Sequence, residues 1–213
     1  MNTELEYLPY RSRRNKIIKN DDSLNLIDYY SYGRQREFIL NSNKKINLEI
    51  GFGSGEFIFY RATRDKENIY VGSEVYNPGI VKLINNINRH NMYNVFIYQG
   101  DARDLLNQIP YQFFYNIHIL FPDPWPKKKH HKRRLINKNF LQYLLDKFSS
   151  NLFIVTDHSN YAENILYDIL KNDDFQLDKM KISNEVFFKT NFEAKALQKS
   201  NNIFNFSLSH KNK

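Results

Sequence analysis

The stretch Leu48-Glu49-Ile50-Gly51-Phe52-Gly53-Ser54-Gly55-Glu56-Phe57 constrains the fold of this chain more than any other. A short apolar strand, Ile46 to Ile50, runs directly into a loop with glycine at every second position. The pattern then turns helical over Glu56 to Asp65. Glycine at such a loop lets a ligand approach the backbone closely. The spacing is G-x-G-x-G, whereas a dinucleotide fingerprint needs glycine at position 56, where glutamate stands, and no P-loop lysine follows. The acid beside the loop, Glu49, is wrong for a phosphate and right for a cationic or hydroxyl-bearing group.

From there the chain alternates. Strands are expected at Ile69 to Val75, Val95 to Tyr98, Asn116 to Phe121 and Leu152 to Thr156. Helices are expected at Gly79 to Arg89, Ala102 to Gln108, Lys138 to Phe148 and Tyr161 to Leu170. Ile80, Leu83, Ile84 and Ile87 share one helix face at i, i+3, i+4, i+7 spacing, and Phe140, Leu144 and Phe148 form another stripe. Strands separated by helices imply right-handed βαβ crossovers and a mostly parallel sheet. Two late strands, Glu185 to Lys189 and Ile203 to Ser209, without a convincing helix between them, would add an antiparallel pair. Ahead of all this, residues 1–45 read as a partly flexible N-terminal extension with one helix, Gly33 to Leu40, and residues 46–213 as a single domain.

Ligands of open α/β sheets sit at the carboxyl ends of the strands. Three acids fall there in succession: Glu49, then Glu74 after the second strand, then Asp101 after the third. Glu74 lies about twenty residues past the loop, where a carboxylate takes hydrogen bonds from ribose hydroxyls. Asp101 can meet an adenine ring edge. Ribose, adenine and a positive centre with no phosphates describe S-adenosylmethionine.

The second marked feature is LFPDPWPKKKHHKRRL, residues 120–135, which sets Asp123 between prolines and follows it with Lys127, Lys128, Lys129, His130, His131, Lys132, Arg133 and Arg134. The chain carries a formal charge of +8 and this run alone +6, so the excess is concentrated. That favours a polyanionic partner, nucleic acid or an acidic membrane. The absence of cysteine excludes disulfides, cysteine-based zinc sites and a thiol nucleophile. The first twenty residues lack the apolar core of a signal peptide, and no apolar run approaches the roughly 20 residues needed to cross a bilayer. A cytoplasmic protein is expected.

Taken in order, LEIGFGSGEF, GSEVYNPGI, GDARDLL, FPDPWPKKKHHKRR, TDHSNYA and TNFE resemble the class I S-adenosylmethionine-dependent methyltransferases, and in particular the tRNA (guanine-N7-)-methyltransferase family, from about residue 46 to 206. The resemblance implies a Rossmann-like α/β fold, with a mostly parallel seven-stranded sheet, helices on both faces and an antiparallel C-terminal strand pair. It implies methyl transfer to N7 of the variable-loop guanine of tRNA (position 46), forming 7-methylguanosine; the residues call for no metal, and no obligatory protein partner is evident in the sequence. Glu49, Gly51, Gly53, Glu74, Asp101 and Asp123 would then bind the cofactor, with Asp123 also catalytic. Lys127, Asp157, Thr190, Asn191, Phe192 and Glu193 would bind substrate. After TNFE the family's pattern of a basic residue, glycines and another basic residue is replaced by Ala194 to Ser200, which keeps only Lys195 and Lys199 of that character.

Guanine N7 has an in-plane lone pair and no proton, so it can attack a sulfonium methyl directly, and catalysis rests on alignment and electrostatics. A carboxylate near the ring favours the transition state, and Asp123, framed by Pro122 and Pro124, is the candidate. Glu193 fits guanine's two-donor edge by its family position. Lys129, His130, His131, Lys132, Arg133 and Arg134 would contact RNA phosphates, which position without reading sequence. Trp125 either stacks on a base or packs; His158 either approaches substrate or caps a helix; His118 is structural. Three rivals remain at this point. A methyltransferase for exocyclic amino groups would carry a second proline after Asp123-Pro124. A non-catalytic RNA-binding protein would not bind S-adenosylmethionine. A nicotinamide-dependent oxidoreductase is weakened by the glycine spacing.

Overall fold

The computed structural model describes residues 30–183, 190–198 and 201–211. Its elements are α1 (Tyr32–Leu40), β1 (Ile46–Ile50), α2 (Glu56–Arg64), β2 (Ile69–Glu74), α3 (Asn77–Arg89), β3 (Val95–Gln99), α4 (Ala102–Leu106) and β4 (Phe114–Leu120). They continue with a 3-10 helix (Lys128–Arg133), α5 (Lys138–Leu144), β5 (Phe148–Thr156), α6 (Ser159–Leu170), β6 (Phe175–Ser183), α7 (Asn191–Gln198) and β7 (Ile203–His210). The seven strands follow the order β3-β2-β1-β4-β5-β7-β6. This is the mostly parallel α/β sheet expected, and the described residues fall into two compact units, 30–108 and 109–211.

In the first unit β1, β2 and β3 are parallel, with Glu49 opposite Gly72 and Glu74 opposite Gln99. All residues of β1 and β2 are buried, as parallel strands covered on both faces must be. The stripe on α3 does what its spacing dictates: Ile80, Leu83, Ile84 and Ile87 are at most 1% exposed and pack with Phe52, Ile58, Ala62, Val95 and Ile97. Each such side chain contributes roughly 1.5–3 kcal/mol on burial. The first described segment is tied to the same unit, since the Ile97 N–H donates to the Tyr30 carbonyl at 2.8 Å and Phe38 packs against Phe96.

In the second unit β4 and β5 are parallel, while β7 runs antiparallel to both β5 and β6. Three expectations change here. The helix expected from Lys138 to Phe148 ends at Leu144, and Phe148 instead opens β5, fully buried and stacked on Phe175 at 6.3 Å. The antiparallel pair is present, but its first strand is Phe175–Ser183; the expected strand at Glu185 to Lys189 lies outside the described residues. A helix, α7, also precedes β7, where none was expected. Among the described residues no helix is long and apolar enough to cross a membrane.

Candidate active site

The acids of the first unit sit at the strand ends expected for a ligand site. Glu49 is the penultimate residue of β1 and only 4% exposed. Its Oε2 is buried and meets no hydrogen-bond donor among the described residues. Burial pushes its carboxyl well above the usual carboxylate range, and the charges of Glu56 and Glu74 push the same way, against the Ile58 backbone N–H. An unmatched buried carboxylate is costly unless a ligand completes it.

The loop beside it is shaped by left-handed backbone at Gly51 (φ 71°), Gly53 (φ 57°) and Gly55 (φ 76°). Gly51 is exposed and a Cβ on it would meet nothing within 4 Å, so the loop leaves its backbone open to a ligand there. Glu74, at the end of β2, holds this loop in place. Its Oε2 accepts the Gly53 N–H at 2.6 Å, and its Oε1 accepts those of Val75 (2.7 Å) and Tyr76 (2.9 Å). The residue expected to hold ribose therefore also fixes the shape of the glycine loop. Asp101 caps α4 by accepting the Arg103 N–H at 3.0 Å, and its carboxylate is gripped by the Arg103 guanidinium. The cation on Asp101 was not foreseen from the sequence.

Sequence reasoning also missed Gly79, in the first turn of α3. A Cβ there would lie 1.9 Å from the Gly53 carbonyl oxygen, so this helix approaches the glycine loop only because residue 79 has no side chain. The signal was available: glycine within a helix costs about 1 kcal/mol relative to alanine and calls for a packing reason.

The second unit carries the remaining candidates. Asp123 is exposed on the turn that follows β4. Two non-glycine residues in this turn have left-handed backbone, Phe121 (φ 51°) and Trp125 (φ 42°). Trp125 is packed rather than bare, with the His130 ring edge-on at 5.8 Å and the Arg133 guanidinium 5.0 Å from its centre. Lys127, just ahead of the 3-10 helix, and Lys128, Lys129, Lys132 and Arg133 along it are exposed, with His130 and His131 partly buried among them. Arg134 departs from the expectation set for this run. It is 5% exposed and turned inward.

Asp157 follows β5 and accepts from Asn201 Nδ2 at 3.1 Å. Thr190 Oγ1 accepts the Glu193 N–H at 3.1 Å, so Thr190 caps the first turn of α7. Thr190 is 8% exposed, Glu193 is fully buried, and Asn191 falls in the same first turn with Phe192. His158 caps α6, its Nδ1 accepting the Tyr161 N–H at 3.3 Å, while His118 stacks on Phe153 at 4.9 Å. Among the described residues no group of three or more His, Asp or Glu could hold a metal ion.

A family model described as "Putative methyltransferase" matches residues 43–206. The tRNA (guanine-N(7)-)-methyltransferase of Wolbachia pipientis wMel is 40% identical over 157 residues, covering 71% of this chain and 70% of that protein. That of Buchnera aphidicola subsp. Baizongia pistaciae is 38% identical over 176 residues, covering 79% and 72%. Among solved structures, an antibiotic-related methyltransferase superposes with a TM-score of 0.62 at 21% identity, covering 85% of this chain and 94% of that one, a likeness of fold.

Proposed function

The chain belongs to the tRNA (guanine-N7-)-methyltransferase family, and on that premise we propose that it transfers the methyl group of S-adenosylmethionine to N7 of the variable-loop guanine of cytoplasmic tRNA. The geometric observation that carries the cofactor reading is Glu49. A buried carboxylate with one unmatched oxygen, beside an open glycine loop, suits a ligand bearing positive charge and N–H donors.

When bound, S-adenosylmethionine supplies an electrophilic methyl group on a positively charged sulfur. Glu49 and the backbone of Gly51 and Gly53 would hold its cationic end. Glu74 would take the ribose and Asp101 the adenine edge, the latter sharing its carboxylate with Arg103. Because guanine N7 has no proton to lose, no residue is needed as a base. The protein's contribution is to align the ring and to stabilise the positive charge that arrives on it. Asp123 is assigned the second task and a contact to the cofactor. Lys127, Asp157 and the segment Thr190 to Glu193 are assigned to the substrate, with the exposed cations of the 3-10 helix on RNA phosphates.

Incubation with labelled S-adenosylmethionine and unmodified tRNA, followed by nucleoside analysis, is expected to place the label in 7-methylguanosine. Label in an amino-methylated nucleoside would favour the exocyclic reading. No cofactor binding at all would favour the non-catalytic one.

A further inference from the structure

The inward turn of Arg134 separates it from the cationic run it closes. Its Nε–H donates to the carbonyl of Pro124 at 2.8 Å, and Nη2 donates to Asn160 Oδ1 at 3.0 Å. Its guanidinium carbon lies 4.7 Å from the ring centre of Tyr161. Tyr161 is fully buried in α6, and its hydroxyl accepts the Ile136 N–H at 2.8 Å. Among the described residues Nη1 is buried with no acceptor, and no carboxylate there pairs with the cation. A phosphate contact needs the opposite of this placement.

What the guanidinium reaches is the turn that presents Asp123. Three of the five residues from Pro122 to Pro126 are proline, so only Asp123 and Trp125 can donate a backbone N–H. The turn must also hold Trp125 at φ 42°, a conformation bulky side chains rarely adopt. Such strain persists only where the surroundings over-determine it. Burying a cation with one N–H unmet is unfavourable, and a neutral residue would fill the space more cheaply. The planar fork alone joins the Pro124 carbonyl to α6 while lying on an aromatic face.

We propose that Arg134 is a positioning residue: it locks the Pro124 carbonyl to Asn160 and Tyr161 and so fixes Asp123, whose catalytic role is the reading this rests on, rather than contacting tRNA. Arg134→Lys separates the alternatives, because lysine keeps a charge for a phosphate but cannot make the fork. Misplacement of a reacting group by about 1 Å can lower a rate by about 10². Arg134→Lys is therefore expected to lower single-turnover methyl transfer about 10- to 100-fold at saturating cofactor and tRNA. The salt dependence of tRNA binding should stay at wild type. Lys129→Ala, Lys132→Ala and Arg133→Ala combined should instead flatten that dependence, by about 0.7–0.9 for each phosphate no longer neutralised.

Asn160→Ala leaves Arg134 in place and removes one arm of the fork, so it should move the rate in the same direction by less; it decides the matter if Arg134→Lys does not fold. If both act through the turn, adding Asn160→Ala to Asp123→Asn should cost no further rate, which a general loss of packing would not reproduce. A wild-type rate in both Arg134→Lys and Asn160→Ala would overturn the proposal. So would a defect in Arg134→Lys that saturating tRNA abolishes while the salt slope falls. A wild-type rate in Asp123→Asn alone would instead remove the catalytic reading on which the proposal rests.

Discussion

Asp123→Asn is expected to lower single-turnover methyl transfer by about 10²–10³-fold, the scale of removing one preorganised electrostatic stabiliser. The substitution keeps the shape of the side chain and discards its charge. As the methyl moves, positive charge arrives on the purine, and a carboxylate about 4 Å away in a partly screened site is worth about 4 kcal/mol to it. That Coulomb scale is enough for the rate loss without any proton transfer. The turn that carries Asp123 has little regular backbone bonding of its own, and Arg134 supports it from inside through the Pro124 carbonyl. The variant should therefore keep its circular dichroism and its tRNA affinity, with a modest loss of cofactor affinity from the second role assigned to this acid. A wild-type rate at saturating cofactor and tRNA would take Asp123 out of the chemistry.

Gly79→Ala should weaken S-adenosylmethionine binding by about one to two decades and lower the melting temperature. The added Cβ would stand 1.9 Å from the Gly53 carbonyl oxygen and 3.2 Å from the Tyr76 ring. The first obstacle is main chain, which cannot swing aside as a flexible side chain would. The loop cannot retreat freely either, because the Gly53 N–H is held by Glu74 at 2.6 Å. Forced overpacking of this kind costs about 1–3 kcal/mol, which converts to about one to two decades where the displaced group is the loop proposed to hold the cofactor. Gly33→Ala is the matched control, since its Cβ would meet only Ser31 Oγ at an ordinary 3.6 Å. Calorimetric titration of both variants checks this. Wild-type cofactor affinity in Gly79→Ala would mean that the loop and α3 are not coupled as described.

The alternating pattern of residues 46–120 was legible because each element there buries the side that its spacing advertises. Ile80, Leu83, Ile84 and Ile87 behave as their periodicity requires, and Glu49, Glu74 and Asp101 lie at or just after strand ends because a parallel α/β sheet sends its loops there. β6 was not legible. Its apolar residues Phe175 and Leu177 keep a two-residue period, but Met180 and Ile182 resume it one residue out of phase. The register shift between Leu177 and Lys179 explains the break: an irregular residue changes the face on which the alternation continues. α7 was missed although T-x-x-E at Thr190 to Glu193 is a helix-start signal, because the same residues also suit a binding segment. Arg134 stands in sequence as one more surface charge among its neighbours. Charge alone cannot say which member of a basic run turns inward. That depended on Asn160 and Tyr161, more than twenty-five residues further along the chain, which only the folded second unit brings to it.

The claim that N7 itself is the nucleophile is tested most directly with tRNA in which the variable-loop guanine is replaced by 7-deazaguanine. That substitution exchanges the N7 lone pair for a C–H and leaves the Watson–Crick edge and the exocyclic amino group unchanged. Under single-turnover conditions with labelled S-adenosylmethionine, this tRNA should bind with near wild-type affinity and accept no methyl group. The unsubstituted tRNA, run in parallel, should be converted to 7-methylguanosine. Methyl transfer to the deaza-substituted tRNA at the rate of the unsubstituted one would contradict the account.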